Sequence, residues 1–287
     1  MKREDLQRFD LPDTPGIYIF RDAARKILYI GKATSLRDRV KSYFSKDLAA
    51  GRGEGIVAMV EQSDSVIFEK TDSVLEALIL EANLIKRHQP PYNIAEKGNT
   101  SFNYLIITRE DFPRVVVVRG RELFTKWKSS QIKYQFGPFP HGGSLNEAVK
   151  LVRRIFPFRD SKCIPCPEQL RKRKITEVKP PFRGLTSVKS VCKPCFNRQI
   201  GMCPGVCTGE CGKVEYAKTI RNIKDLFNAK FHGLRRRLEK EMKTVAADEN
   251  FEEAEKLRRQ ISALTHIRDV SLIKDEYRAS AGGSIRI

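Results

Sequence analysis

Two tyrosines, a lysine, an arginine and a glutamate in the first third of the chain are the types needed to cut a phosphodiester. They offer a proton acceptor, cations for the phosphate and a metal ligand. Tyr18 lies in Gly16-Ile17-Tyr18, and after ten intervening residues Tyr29 opens Tyr29-Ile30-Gly31-Lys32. Each tyrosine is close to a glycine, where a bulky substrate can approach the backbone. Arg39 and Tyr43 are four apart and share one face of a helical pattern whose apolar face is Leu36, Val40 and Phe44. A solvated face, to which Arg37 and Lys41 would also belong, is the plainer reading of that pair.

Two glutamates on the next helical pattern have different settings. Glu76 closes Ser73-Val74-Leu75-Glu76, the spacing of a capping box, and so has a structural task. Glu81 falls within Leu78-Ile79-Leu80-Glu81-Ala82-Asn83-Leu84-Ile85, apolar on most sides. A carboxylate there needs a cation, either Mg²⁺ or an arginine. Asn93 follows Pro90-Pro91-Tyr92, as a turn residue or a phosphate contact.

The elements that must position these groups read as α/β. Residues 11 to 95 carry short strands (Gly16–Phe20, Ile27–Ile30, Val66–Lys70) and helices beginning at Thr34 or Ser35 and at Ser73. Residues 96 to 160 form a second small α/β unit. Its strands are Tyr104–Thr108 and Arg114–Arg119, followed by a turn at Gly137-Pro138-Phe139-Pro140 and a helix over Leu145–Phe156. Residues 161 to 212 hold every cysteine and a basic insertion, RKRKITEVKPPFRG. From 213 onward the pattern is helical to about Asp275, with a hairpin whose stripes are Leu234, Leu238, Met242, Val245 and Phe251, Ala254, Ile261, Leu264. Asp248-Glu249-Asn250 turns between them, and Ala281-Gly282-Gly283-Ser284 reads as a frayed tail.

Charge narrows the partner. Lys and Arg number 54 against 35 Asp and Glu, a net +19 over 287 residues, which favours a polyanion such as nucleic acid. No apolar run approaches the roughly 20 residues of a spanning helix, and the start MKREDLQRFD lacks a signal-peptide core. The chain is therefore expected in the cytoplasm, with its seven cysteines reduced and open to metal. Cys163-x2-Cys166 and Cys192-x2-Cys195 alone suggest a four-cysteine zinc site. Cys203, Cys207 and Cys211 then follow at intervals of four.

LPDTPGIYIF, KILYIGKATSLRDRVKSYF and LEALILEANLIKRHQPPYN resemble successive motifs of the GIY-YIG nuclease family in its UvrC form. The resemblance implies a catalytic set of Tyr18, Tyr29, Lys32, Arg39, Tyr43, Glu81 and Asn93, with Mg²⁺ or Mn²⁺ on Glu81. In that reading Tyr29 takes a proton from water, aided by Lys32 and Tyr18, and Arg39 neutralises the growing phosphate charge. A tyrosine pKa near 10 then requires a cation to lower it. SFNYLIITREDFPRVVVVRG and FGPFPHGGSLNEAVKLVRRIFPFR resemble the same family's linking segment, with no chemistry assigned to it.

KPCFNRQIGMCPGVC resembles the UvrC region that holds an iron–sulfur cluster on four cysteines. Carried over, the ligands of a [4Fe–4S] cluster are Cys163, Cys195, Cys203 and Cys207, with Cys166 the rival for the first place and Zn²⁺ the alternative metal. The long gap before Cys195, and the extra Cys192 and Cys211, depart from the family pattern. ENFEEAEKLRRQISAL resembles the UVR motif, the hairpin through which UvrB and UvrC pair. An exposed apolar stripe on a short hairpin would suit that partner.

The resemblance implies a metal-dependent endonuclease of nucleotide excision repair that cuts lesion-bearing duplex 3′ to the damage with UvrB. The 5′ cut is expected to fall to a separate nuclease, the ribonuclease H-like part of the family not being expected in this chain. In size the chain is similar to the shorter Cho-type relatives. The alternatives are a restriction or mobile-element GIY-YIG nuclease, and a non-catalytic DNA-binding adaptor.

Overall fold

The computed structural model describes residues 10–45, 48, 52–94, 102–140, 142–172, 192 and 194–266. The start MKREDLQRF, most of the basic insertion, the helical pattern beyond 266 and the glycine-rich tail lie outside the described residues. Among the described residues no helix is long and apolar enough to cross a membrane.

Three antiparallel strands, β1 (Gly16–Arg21), β2 (Ile27–Ala33) and β3 (Ser65–Lys70), form the first sheet in the order β2-β1-β3. Side chains alternate across it. Tyr18 and Phe20 face a core shared with Leu36, Val40, Tyr43, Ile56 and Met59, whereas Ile17, Ile19 and Ile30 pack with Ile85 on the other side. Helix α1 (Leu36–Lys41) is capped by Ser35, whose Oγ accepts the Asp38 amide at 3.2 Å. It tightens into a 3₁₀ turn at Ser42–Phe44. Helix α2 (Glu54–Gln62) completes this side and had no sequence expectation.

Helix α3 (Val74–His88) starts where the capping box predicts. Ser73 Oγ accepts the Glu76 amide at 3.2 Å, but the Glu76 carboxylate accepts from the Asp72 amide, one residue earlier than the motif implies. The helix ends at Gln89, whose φ of 46° is left-handed, and the short helix α4 (Pro91–Ile94) follows. One side of α3 meets the first sheet through Leu80, Leu84 and Ile85, and the other side carries Val74, Leu75, Leu78, Ile79 and Ala82 into the largest core among the described residues.

The second sheet has three strands, β4 (Asn103–Thr108), β5 (Val115–Arg119) and β6 (Ile132–Phe139), in the order β5-β4-β6. Gly137-Pro138-Phe139-Pro140 is not the expected turn. Gly137 to Phe139 continue β6, with a cis Gly137–Pro138 peptide, and the pairing with β4 is irregular there, between Asn103 and Leu105. An edge strand with a register irregularity can take the proline that an ordinary ladder excludes. Helices α5 (Gly120–Lys126) and α6 (Gly142–Ile155) flank the sheet.

The remaining helices are α7 (Cys166–Lys172), α8 (Phe196–Gln199), α9 (Lys213–Phe227), α10 (Phe231–Ala247) and α11 (Phe251–His266). A single core joins α3, the second sheet, α6, α9 and the α10–α11 hairpin, and so runs across the composition boundaries at 96, 161 and 213. Leu234, Leu238, Leu257 and Leu264 are buried in it, with Met242, Val245 and Ile261 packed against it. The expected exposed stripe on the hairpin is thus largely consumed within the chain, because α6 and α9 are near enough to cover it. Phe251 is the stripe residue left in water, 68% exposed.

Candidate active site

The first sheet, α1 and the 3₁₀ turn after it bring two of the expected groups, Arg39 and Tyr43, onto the hydroxyl of a third, Tyr18. Tyr18 Oη lies 2.7 Å from Tyr43 Oη, and Arg39 Nε donates to Tyr18 Oη at 3.2 Å. Tyr29 joins the cluster, its ring 6.2 Å from Tyr18 and 6.1 Å from Tyr43 between centroids. Tyr18 and Tyr43 are fully buried. Tyr43 was expected on the outward face with Arg39. The 3₁₀ turn advances the chain faster than an α-turn, and it swings Tyr43 inward while Phe44 becomes half-buried.

The glycines beside the tyrosines do not open the backbone to a substrate. A Cβ at Gly31 would sit 2.2 Å from Tyr18 Oη, and one at Gly16 would sit 2.3 Å from the Glu69 carbonyl oxygen. Gly31 pairs directly with Tyr18 across the two strands, so the protein's own ring fills the space that the missing side chain leaves.

Glu81 comes from α3 on the other side of the hairpin. It is 4% exposed, and Oε1 accepts the Lys32 amide at 3.0 Å. Lys32 itself is buried. Asn93 is neither a simple turn residue nor a surface group. Its Oδ1 accepts the Ile30 amide and its Nδ2 donates to the Ile30 carbonyl, both at 2.8 Å. Asn93 therefore acts as one more residue of strand pairing along β2, between Tyr29 and Gly31.

The tyrosine electrostatics differ from expectation. Burial raises the pKa of Tyr29 well above the usual tyrosine value, with Tyr43, Tyr18 and Glu81 pushing the same way and Arg39 opposing. A cation is at hand, but burial outweighs it. Glu76 is also raised, chiefly by burial, and the Asp72 amide opposes. Its bonds are those of a helix cap, which leaves Glu81 as the carboxylate at the tyrosine cluster.

Arg52 was not expected. Its guanidinium carbon stands 4.2 Å from the Tyr43 ring centroid, and Nη2 donates to Ser42 Oγ at 2.8 Å. Its sequence signal is the setting Gly51-Arg52-Gly53, an arginine flanked by residues that leave it room to reach inward.

The cysteines form a second locus. Cys163, Cys195 and Cys207 line a cleft of about 380 Å³ with Lys162, Ile164, Gln169 and Lys172. Cys207 Sγ is 3.7 Å from Cys195 Sγ. The Cys163 thiol is pushed up to about 12, first by burial and then by Cys207 and Cys203. Cys166 and Cys192 are joined in a disulfide, against the expectation of seven free thiols, with their Cα atoms 5.9 Å apart. Among the described residues no three His, Cys, Asp or Glu side chains converge tightly enough to make a ready metal cage.

Sequence reasoning missed what holds this cleft. Buried Arg159 donates to the Cys163 carbonyl at 2.8 Å and pairs with Glu110, while its amide donates to Tyr216 Oη at 3.1 Å. Arg153 Nε reaches the carbonyls of Phe158 and Met202, beside Cys203. Gln169 ties the Ile164 and Cys207 carbonyls together. Such pairings span up to 57 residues and leave no periodic trace.

Three family descriptions match the chain in succession. They are the UvrC-like GIY-YIG domain over residues 14–94, the UvrC/Cho excinuclease middle domain over 102–226, and the UvrB/uvrC motif over 234–266. Among curated proteins, UvrABC system protein C of Carboxydothermus hydrogenoformans is 38% identical over 261 residues. The protein of the same name from Moorella thermoacetica is 37% identical over 258 residues. Each alignment covers 90% of this chain, and the chain spans 37% of the length of these relatives. A solved structure, the GIY-YIG N-terminal endonuclease domain of UvrC from Thermotoga maritima bound to magnesium as its catalytic cation, is 35% identical. That match covers 33% of this chain and all of that one, with a TM-score of 0.29.

Proposed function

This chain belongs to the UvrC family of GIY-YIG endonucleases, and from that we propose that it is a metal-dependent DNA endonuclease of nucleotide excision repair. It hydrolyses a phosphodiester 3′ to a lesion in duplex DNA, in the cytoplasm, and pairs with UvrB through the α10–α11 hairpin. The observation that carries this reading is the cluster at the Tyr18 hydroxyl, which meets Tyr43 and accepts from Arg39 with the Tyr29 ring beside them. An adaptor without catalysis has no use for that arrangement.

The Glu81 carboxylate fits a hard divalent cation such as Mg²⁺ or Mn²⁺, being a buried oxygen donor held in place by the Lys32 amide. Such an ion, when bound, supplies Lewis-acid stabilisation of the leaving oxygen. Arg39, oriented by the Tyr18 hydroxyl, neutralises charge on the phosphate. Tyr29 accepts the proton of the attacking water once its own proton has left, a loss that Arg39 favours and burial opposes. Lys32 adds positive charge at the same strand. Asn93 and Gly31 fix the strand that carries Tyr29, and Tyr43 completes the support of Tyr18.

The cysteine cleft gathers thiols without closing them into a cage, and a thiolate-bound cofactor would have to draw them together. Cys163, Cys195 and Cys207 share the cleft, Cys203 is buried, and Cys166 is paired with Cys192. We assign Cys163, Cys195, Cys203 and Cys207 to a [4Fe–4S] cluster, with Zn²⁺ the competing occupant of an all-thiolate set.

Incision of a site-specifically damaged duplex with Mg²⁺, with and without UvrB, tests the function. A cut mapped to the 3′ side that needs both the lesion and UvrB is the expected result. Sequence-specific cutting of undamaged duplex would instead identify a restriction-type or mobile-element enzyme.

A further inference from the structure

Arg52 lies outside every motif quoted above, yet it brings a second guanidinium to the tyrosine cluster. Its face lies against the Tyr43 ring, 4.2 Å from the centroid, while Arg39 approaches the same ring at 5.8 Å. The two arginines are also tied through one hydroxyl. Arg52 Nη2 donates to Ser42 Oγ at 2.8 Å, and Ser42 Oγ donates to the Arg39 carbonyl at 2.6 Å. Among the described residues, the buried Arg52 Nη1 has no hydrogen-bond partner and no carboxylate pairs with the side chain.

Among the described residues this geometry leaves part of the guanidinium edge unused. Stacking on Tyr43 occupies the face of the guanidinium but not the N–H donors at its edge. The side chain is half-buried rather than enclosed, so its charge can be met by an anion arriving from solvent. The planar fork of an arginine matches phosphate oxygens two at a time. Backbone phosphates of one strand follow each other at about 3.4 Å of helix rise, so a strand held at Arg39 can also meet a cation on the same ring.

We propose that Arg52 is a second phosphate subsite of the nuclease unit, gripping a backbone phosphate beside the one at Arg39 on the same DNA strand. The subsite rests on the nuclease reading. It holds the strand in register over the tyrosines, and Ser42 and Tyr43 fix the orientation of the fork.

The test is binding of a fluorescein-labelled synthetic duplex to the full chain without divalent metal, over a series of salt concentrations. For Arg52→Gln the dissociation constant is expected to rise about tenfold. The slope of log K against log salt should become shallower by about 0.9, the value of one lost phosphate contact. Arg52→Lys should keep the wild-type slope, because the charge stays, and bind about threefold more weakly, because the fork is gone. An unchanged slope in a folded Arg52→Gln protein overturns the proposal. If that variant fails to fold, Arg52→Lys decides: wild-type affinity overturns the fork contact, and weaker binding at wild-type slope supports it. Binding is read without metal, so a chain that never cuts DNA counts against the nuclease reading and leaves the slope to judge Arg52.

Discussion

The ring of Tyr18 occupies the space that a side chain on Gly31 would need. The two residues pair across β1 and β2, and a Cβ on Gly31 would lie 2.2 Å from the Tyr18 hydroxyl oxygen. That hydroxyl meets Tyr43 and Arg39, so the glycine of the second tripeptide sets the position of the tyrosine of the first.

Gly31→Ala should therefore cost roughly 1–3 kcal/mol in urea unfolding, as overpacking of a tight site does, and should reduce cutting by displacing Tyr18. Tyr18→Phe keeps the ring and the packing but removes the oxygen between Arg39 and Tyr43. It should lose incision while costing only about 1 kcal/mol. A Gly31→Ala protein with the wild-type urea midpoint would contradict this account.

The two glutamates of α3 should separate cleanly. Glu81→Gln still accepts the Lys32 amide, so it should fold and bind DNA normally while incision falls by roughly two to three orders of magnitude. Retained cutting would remove Glu81 from the site. Glu76→Gln should leave incision unchanged.

Stability against pH gives a second reading of Glu76. Its pKa is raised in the folded protein, so the folded state holds the proton more tightly than the unfolded chain. Its contribution to stability is full below the unfolded carboxylate pKa and is lost as pH rises through the folded one. Glu76→Gln should thus be at least as stable as wild type at neutral pH, with the difference closing in acid. Thermal melts across that range decide the sign.

Asn93→Ala removes two hydrogen bonds from the Ile30 backbone and should cost about 1–3 kcal/mol. Asn93→Asp keeps the acceptor for the Ile30 amide but sets a carboxylate oxygen against the Ile30 carbonyl, and should be no better. Hydrogen exchange at the Ile30 amide reads this directly. Wild-type protection in Asn93→Ala would show that the pairing is dispensable.

Serine in place of Cys163, Cys195, Cys203 or Cys207 should abolish bound iron in protein purified without oxygen. Cys166→Ser and Cys192→Ser should retain it and lose only the disulfide. Iron and sulfide content with the visible absorption spectrum make the measurement. Colourless protein with one zinc per chain would replace the cluster with zinc.

On the hairpin, Leu238→Ala should cost about 2–5 kcal/mol because its side chain is buried in the shared core. Phe251→Ala should leave the melting temperature unchanged and weaken UvrB binding by about tenfold, since its ring faces water. Equal UvrB affinity in a pull-down titration would move the contact elsewhere.

What could be read from the sequence was local. The strands of the first sheet, the cap at Ser73 and the difference between Glu76 and Glu81 follow from spacing within a turn or two. The inward swing of Tyr43 did not, because it depends on a change of helix type after Lys41. Asn93 and Ile30 are 63 positions apart, and their pairing leaves no mark on either segment alone. β6 was missed because Gly137-Pro138 has the composition of a turn yet sits at an irregular strand edge, where a ladder tolerates it. The supports of the cysteine cleft, Arg159, Glu110 and Tyr216, likewise become neighbours only in the folded chain.

Helix α3 has no idle side: Glu81 serves the tyrosines, Ile85 the first sheet, Leu78 and Ile79 the common core, and Asn83 donates to the Phe227 carbonyl at 3.0 Å. Sequence drift on its two sides is consequently coupled. A change of volume near α9 shifts the rod on which Glu81 is mounted, so which replacements are tolerated around Phe227 depends on what stands opposite Ile30. Divergent descendants of this chain should show compensating substitutions between those two neighbourhoods, far apart in the sequence and joined by a single helix.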